Sequence, residues 1–535
     1  MMKQTFYFML CMAPLTVNAE IINLNPGNDI SYQVNGLTAT DNTYVFESGR
    51  GISVTDGGIT IKKDFLVGTD FSGLDSTAGY VYVETTAGVQ NTGNDYKSFN
   101  IQSNSDITVG GALNISNGFG VGIGIEDTAT GNPINISFGS ITANGSLRVD
   151  KADKFTVNGA IAAANNLSIT ANTMSSGDIN ITGGDTELDI TGAAQLGSLI
   201  NTGGGDTSIT AGTLAAGTIQ NNADAASTGG DMKITLGTGE STIENIYNNA
   251  GNMTIGYPTA DGDTGTITPS TSPDLVVSGV ITNDSPNGIL TLNLNSLTVN
   301  GGDESNPSVV LGGDFYATVT GDTYLEHGFD LSVMQENDSV FHLDTGTLAF
   351  GSDTDATTWA NVFSNNLSDF FLAVRNSTIG TTDAPITIEN GSGNKNANME
   401  LIAQNITATS IVNYADLTIN ADNKDGASIV VNNNLTGYTN STTNITSGGT
   451  INVAGNVSNA GEMHLGAATV ELGGITNTGE ILTVRGQTSA AGSITVNGNI
   501  ENNTTMAVPD TTAAKDTYNL VLDAKNIKIN GSYIN

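Results

Sequence analysis

Three histidines, His327, His342 and His464, are the only imidazoles in the 535-residue chain. No two of them fall at the short spacing a zinc site uses, and the single cysteine, Cys11, lies far from all three. Each is read as an ordinary strand or loop residue. Three acidic clusters, Asp261-Gly262-Asp263, Asp303-Glu304 and Asp353-Thr354-Asp355, carry the hard oxygen ligands that calcium prefers. None reproduces the EF-hand loop or the Gly-Gly-x-Gly-x-Asp repeat, so they are read as solvated loops. Paired carboxylates hydrolyse sugars only when they flank a glycosidic bond, and proximity in sequence does not establish that. No Gly-x-Ser-x-Gly elbow or phosphate-binding loop with its lysine is present. Asn-x-Ser/Thr triplets such as Asn114-Ile115-Ser116 and Asn444-Ile445-Thr446 arise from a chain rich in these residues, and no glycosylation is assigned to them. The expectation is no catalytic, cofactor-binding or metal-ligating residue, no cofactor and no enzyme.

The bulk chemistry narrows the partners. Fifty-three acidic residues against 16 basic ones give a net charge of −37, which excludes nucleic acid for want of a basic patch to gather phosphates. The four arginines, Arg50, Arg148, Arg375 and Arg485, are far apart. Charged residues are only 13% of the chain, hydrophobic ones reach 38%, and there are 66 glycines. Disordered chains lack recurring Ile, Leu and Val; here they recur throughout in short runs, so the chain buries a narrow core. Residues 1–19 read as a signal peptide: Lys3, an apolar run from Phe6 to Leu15, and a small residue, Ala19, at the cut. The run is too short to span a bilayer. Export without cysteines in the remaining chain means a fold stabilised by repetition rather than by disulfides.

The elements that would position any functional residue repeat. From about residue 110 the chain returns to an apolar-polar-apolar triplet: Leu113-Asn114-Ile115, Ile134-Asn135-Ile136, Phe155-Thr156-Val157, Leu167-Ser168-Ile169, Leu188-Asp189-Ile190, Met232-Lys233-Ile234 and Met253-Thr254-Ile255. One step recurs from 113 to 134 to 155, from 167 to 188 and from 232 to 253: about 21 residues, a period typical of solenoids. Each triplet predicts a short strand with alternate side chains inward. Asn117-Gly118, Asn144-Gly145, Asn158-Gly159 and Asn497-Gly498 predict corners in left-handed backbone. Two or three strands and their corners make one coil, and coils stack in parallel. The fold class expected is all-β, a right-handed parallel β-helix (a single-stranded solenoid) with an N-terminal cap. At about 21 residues per coil and about 4.8 Å per coil, residues 20–535 would make a rod about 115 Å long. Residues 20–105 read as the cap and first coils, 106–300 as regular β-helix, 301–380 as elaborated aromatic-rich coils, and 381–535 as C-terminal coils that stop inside a rung. Within 301–380 the apolar spacing of Trp359 to Phe371 suggests a short helix.

Segments such as Gly449-Thr450-Ile451-Asn452-Val453-Ala454-Gly455-Asn456-Val457 and Gly492-Ser493-Ile494-Thr495-Val496-Asn497-Gly498 resemble the passenger regions of Gram-negative autotransporters and filamentous-haemagglutinin-like adhesins. The resemblance spans most of residues 106–535. It implies a secreted, outer-membrane-associated cell-surface protein, structural or adhesive, whose β-helical stalk presents a repetitive Thr/Asn/Asp face. The partners implied are a host-surface or extracellular-matrix ligand or a carbohydrate. Self-association is compatible with it, as is translocation through an outer-membrane barrel, for which the chain shows no strand pattern. The alternative is a β-helical polysaccharide lyase or hydrolase, whose Asn-Thr-Asp, Gly-His-Gly and Arg-Ile-Lys signatures this sequence lacks.

Overall fold

The computed structural model describes residues 106–534 except 116–118, 125–132, 223–229, 258–271, 285–286, 304–306, 338, 352–362, 383–384, 422–425, 487–491 and 504–518; before residue 106 it describes strands at 19–23, 32–39, 43–47, 51–61, 64–68, 80–84 and 97–103. Most of the segment 1–19 read as a signal peptide, Trp359 and the clusters at 261–263 and 353–355 therefore lie outside the described residues, as does Glu304. The fold is all-β and solenoid-like. Among the described residues the one helix is Ser332–Asn337. No described helix is long and apolar enough to cross a membrane. The chain divides into two compact units, residues 1–223 with 227–239, and residues 224–226 with 240–535.

In the first unit three parallel ladders run side by side. One stacks Val121, Leu147, Leu167, Thr186, Thr207 and Met232 on successive strands. A second stacks Ile136, Phe155, Met174, Ala194 and Leu214. A third stacks Ile141, Ile161, Ile179, Leu199 and Ile219. Alternation within each strand does the sorting: Leu188 and Ile190 are 1% and 0% exposed, while Asp189 between them faces out and is half-buried. A parallel strand needs a long return path to reach its partner, and here two strands on the other ladders supply it. Ahead of these, strand Gly51–Ile61 pairs in parallel with Lys97–Ser103 and with Ile107–Ile115, so the stretch 20–105 contributes strands to the same sheet system.

Two expectations from spacing are corrected here. The constant step between triplets is not in general the stacking register, although strands Met232–Leu236 and Met253–Gly256 do pair. Leu113 stacks on Ile141, Ile136 on Phe155 and Ile169 on Leu188. Leu113 and Ile134 stand on different ladders, because one lap crosses three ladders and each presents the same triplet. A constant count between triplets thus hides which ladder each belongs to. Nor do the Asn-Gly corners take left-handed backbone: none of Asn144, Gly145, Asn158, Gly159, Asn497 or Gly498 has a positive φ. (Asn117-Gly118 lies outside the described residues.) Glycine is required at Gly159 for a different reason. A Cβ there would sit 2.9 Å from the Gly139 carbonyl oxygen, and at Gly177 a Cβ would sit 2.7 Å from the Gly159 oxygen. The backbones of successive laps touch at this corner, with Gly177 N–H donating to Gly159 O at 3.0 Å.

The second unit is built the same way from larger residues. Leu290, Phe315, Phe341, Phe370 and Met399 stack on one ladder. The Phe315 and Phe341 rings lie 5.7 Å apart and those of Phe341 and Phe370 4.9 Å apart, all three buried. Rings thus fill much of the core between Phe315 and Phe370. The helix expected over Trp359 to Phe371 is not present: from Phe363 onward the chain forms strands Ser364–Asn365 and Asp369–Ile379. Phe363, Leu367 and Phe370 face inward from two ladders and the corner between them, which mimics helical spacing without a helix.

A second column in this unit is polar and buried. Asn365 Nδ2 donates to Asn390 Oδ1 at 2.8 Å, and Asn390 Nδ2 to Asn413 Oδ1 at 3.0 Å. Asn459 Nδ2 donates to Asn477 Oδ1 at 3.0 Å, and Asn477 Nδ2 to Asn502 Oδ1 at 2.9 Å. Gly437 holds the place between Asn413 and Asn459. Three of the amides also serve their own corners: Oδ1 of Asn365, Asn413 and Asn459 accepts the N–H of Leu367, Ala415 and Gly461 at 2.9, 3.1 and 3.2 Å. A buried amide is tolerated only when paired, and stacking the same residue on successive laps pairs it automatically.

Candidate interaction surface

The histidines do not converge. His342 and His464 face outward in one row of the same ladder, connected through Phe371, Glu400, Thr418 and Asn444. Five strand spacings of about 4.8 Å put them about 24 Å apart, too far to share a ligand. His342 is stacked between Phe371, at 4.3 Å and 12°, and Tyr316, at 6.1 Å and 30°. Burial among these rings lowers its pKa from the usual imidazole value; Asp344, Asp369 and Glu400 pull the other way and Arg375 adds to the lowering, with burial prevailing. His464 Nε2 meets Glu462 Oε1 at 2.8 Å, and the backbone N–H of His327 donates to Ser308 Oγ at 2.8 Å.

The carboxylates serve the corners. In the first unit Asp206 N–H donates to Asp185 Oδ1 at 3.2 Å, and Asp231 N–H to Asp206 Oδ1 at 2.9 Å, so an acidic column rises along one corner. Each carboxylate accepts an amide that the turn would otherwise leave to water. Val340 N–H donates to Asp314 Oδ1 at 2.9 Å in the second unit. Among the described residues no three His, Cys, Asp or Glu side chains gather in a metal-holding group. Arg375 grips Asp344 through two bonds of 2.8 and 2.7 Å, with half of its side chain exposed. Arg148 pairs with Asp150 at 2.9 Å, also on the surface. Such exposed pairs contribute about 0–1 kcal/mol.

Two aromatic features stand out on this polar exterior. The Tyr316–His342–Phe371 stack occupies one outward row, with His342 covered by a ring on both faces. The second is a corner where Tyr414 and Tyr438 stack at 4.2 Å and 12°, with Tyr438 44% exposed. Neither pairing was legible in the sequence, because 414 and 438, like 316, 342 and 371, meet only once the lap lengths are known. Elsewhere the outward positions repeat polar side chains: Thr418 and Asn444 on one ladder, Asn452, Glu471 and Thr495 on another. Comparison with known proteins found no matching family model, no matching curated protein and no matching solved structure.

Proposed function

We infer that the chain is a right-handed parallel β-helix acting as a secreted or cell-surface structural and adhesive protein, of the kind seen in autotransporter passengers and filamentous-haemagglutinin-like adhesins. What supports the architecture is the triple set of parallel ladders in each unit. Handedness follows from strand twist, since crossovers between parallel strands are right-handed in about 98% of cases. The observation that carries the adhesive role is the exterior: row upon row of Thr, Asn, Ser and Asp at a fixed strand spacing, which offers many equivalent weak contacts that act together. The sequence resemblance adds the outer-membrane setting, and the apolar N-terminal run adds export. The ligand is a host-surface, matrix or carbohydrate partner, engaged without catalysis.

The test is adhesion. Beads coated with the purified chain are expected to bind epithelial cells or matrix-coated surfaces above beads carrying a protein of equal negative charge. Adhesion equal to that control, together with turnover of a polysaccharide that one carboxylate substitution abolishes, would overturn the reading in favour of an enzyme.

A further inference from the structure

We propose that the corner formed by Tyr414 and Tyr438 is a binding subsite for an uncharged saccharide, an inference that rests on the adhesive reading and names its ligand class. Tyr414 and Tyr438 occupy the same corner on successive laps: Tyr414 N–H donates to Asn390 O at 2.8 Å and Tyr438 N–H to Asn413 O at 2.9 Å. Nothing in the fold demands an aromatic residue there. Other laps turn this corner with Gly391, Ala460 and Thr478, whose N–H groups make the equivalent bonds of 2.7, 2.8 and 2.8 Å. The buried rings described in the unit, Phe315, Phe329, Phe341, Phe363 and Phe370, all point inward, so Tyr438 is not core that has been displaced.

Corner length differs between the lap of Tyr438 and the next. Residues 438–441 separate Gly437 from strand Thr442–Ser447, whereas only Ala460 and Gly461 separate Asn459 from strand Glu462–Ala467. The lap beyond Tyr438 therefore turns in fewer residues, and its corner residues are the small Ala460 and Gly461. One face of Tyr438 rests on Tyr414, and the residue is 44% exposed. The platform is held in place: Ser441 N–H and Oγ both donate to Tyr438 O, at 3.1 and 2.7 Å, and Asn440 between them takes a left-handed φ of 64°. The Tyr414 hydroxyl pKa is raised, first by its hydrogen bond with Tyr438, which fixes the two rings together. Little ordering is left to cost affinity on binding.

A pyranose presents an axial C–H face bearing slight positive charge, and an aromatic ring offers a negative face to it. The sugar's hydroxyls need partners at the rim. Exposed Thr439 and Asn440 stand on the Tyr438 side, and Glu462, held by His464 at 2.8 Å, follows Gly461 on the next lap. Glu462 and the overall charge of −37 select against uronic or sialic acids.

The probes are the hexasaccharides of cellulose, chitin, β-1,3-glucan and α-mannan, titrated calorimetrically into the full chain, with hexagalacturonate as the anionic control. At least one neutral hexasaccharide is expected to bind and hexagalacturonate not. Tyr438→Ala is expected to weaken that binding by about tenfold or more, and Tyr438→Phe by less than about threefold. Ala460→Phe, which leaves both tyrosines in place and enlarges the corner of the next lap, is expected to abolish it. Absence of binding by every neutral hexasaccharide, or undiminished binding by Tyr438→Ala and Ala460→Phe, overturns the subsite. If beads still adhere while no sugar binds, the subsite alone falls and the adhesive reading stands.

Discussion

The laps of residues 134–221 and those of residues 315–413 solve the same stacking problem with different materials. In the first set the inward positions are mostly Ile, Leu, Val, Ala and Met, with Phe138 and Phe155 the only buried rings. Its laps are short, as from Ile161 to Ile179, Leu199 and Ile219 on one ladder. In the second, longer laps separate Phe315, Phe341 and Phe370, with buried asparagines on a neighbouring ladder. Small core residues go with short laps, and the glycine corner lets backbones touch. Larger rings go with longer laps, and buried asparagines serve both kinds of lap: Asn201 and Asn221 in the first set, Asn365, Asn390 and Asn413 in the second. Stability is thus spread over many equal contributions in the first region and concentrated in a few side chains in the second.

The sharpest way to break that comparison is to attack the register both regions share. Leu188→Asp places a carboxylate among apolar neighbours and is expected to cost more than about 4 kcal/mol. Asp189→Asn, one residue away on the outer face, is expected to change stability by less than about 0.5 kcal/mol. Equal denaturation midpoints for the two variants would sink the assigned register. Next in size, Phe341→Ala removes the middle ring of the stack and is expected to cost about 3–5 kcal/mol, against about 1 kcal/mol for Ile179→Val in the aliphatic laps. Amide hydrogen exchange reads the contrast: protection should drop across Phe315–Phe370 in the former and barely change around Ile179 in the latter. If both variants behave alike, concentration of stability in the second region is wrong.

The asparagine column gives a smaller effect. Asn390→Ala removes the acceptor of Asn365 and the donor to Asn413 and is expected to cost about 2–3 kcal/mol. Loss of exchange protection confined to laps 365–413 would support the column's local role, and no change in denaturation would refute it. The smallest expected effect concerns His342. Its folded pKa lies below that of the unfolded chain, so the unfolded state takes up more protons as pH falls through about 6.5. The stability the neutral ring contributes is complete above that pH and is lost below it. His342→Phe should keep the stack and flatten the melting temperature between pH 7 and 5, relative to a native chain whose melting temperature declines. An unchanged slope would mean that burial does not govern this ring.

Much of the core was readable in single triplets. Leu188-Asp189-Ile190 announces its inward and outward faces because alternation in a strand is fixed by local geometry. The asparagine column also leaves a trace: Ile388-Glu389-Asn390, Ile411-Val412-Asn413, Val457-Ser458-Asn459 and Ile475-Thr476-Asn477 are apolar-x-Asn triplets, with Asn in an inward position. Sequence reasoning misses them because asparagine is usually solvated and reads as a corner residue. The span Trp359 to Phe371 misleads for the opposite reason, since apolar residues drawn from two short strands and a corner reproduce helical spacing.

The sequence by itself determined that the chain is all-β and which side chains of each triplet point inward, since these depend on neighbours a few residues away; it did not give strand length, because strands such as Thr207–Asn221 and Asn398–Asn413 run on through a corner from one ladder to the next. The tertiary structure alone decided which strand lies on which. Lap length, short between Ile161 and Ile179 and long between Phe341 and Phe370, is set by how much chain each corner takes up. No single strand records that count. Only stacking aligns Asn365 with Asn390, Phe341 with Phe370 and Tyr414 with Tyr438, because backbone hydrogen bonds across about 4.8 Å join residues that the chain separates by a whole circuit.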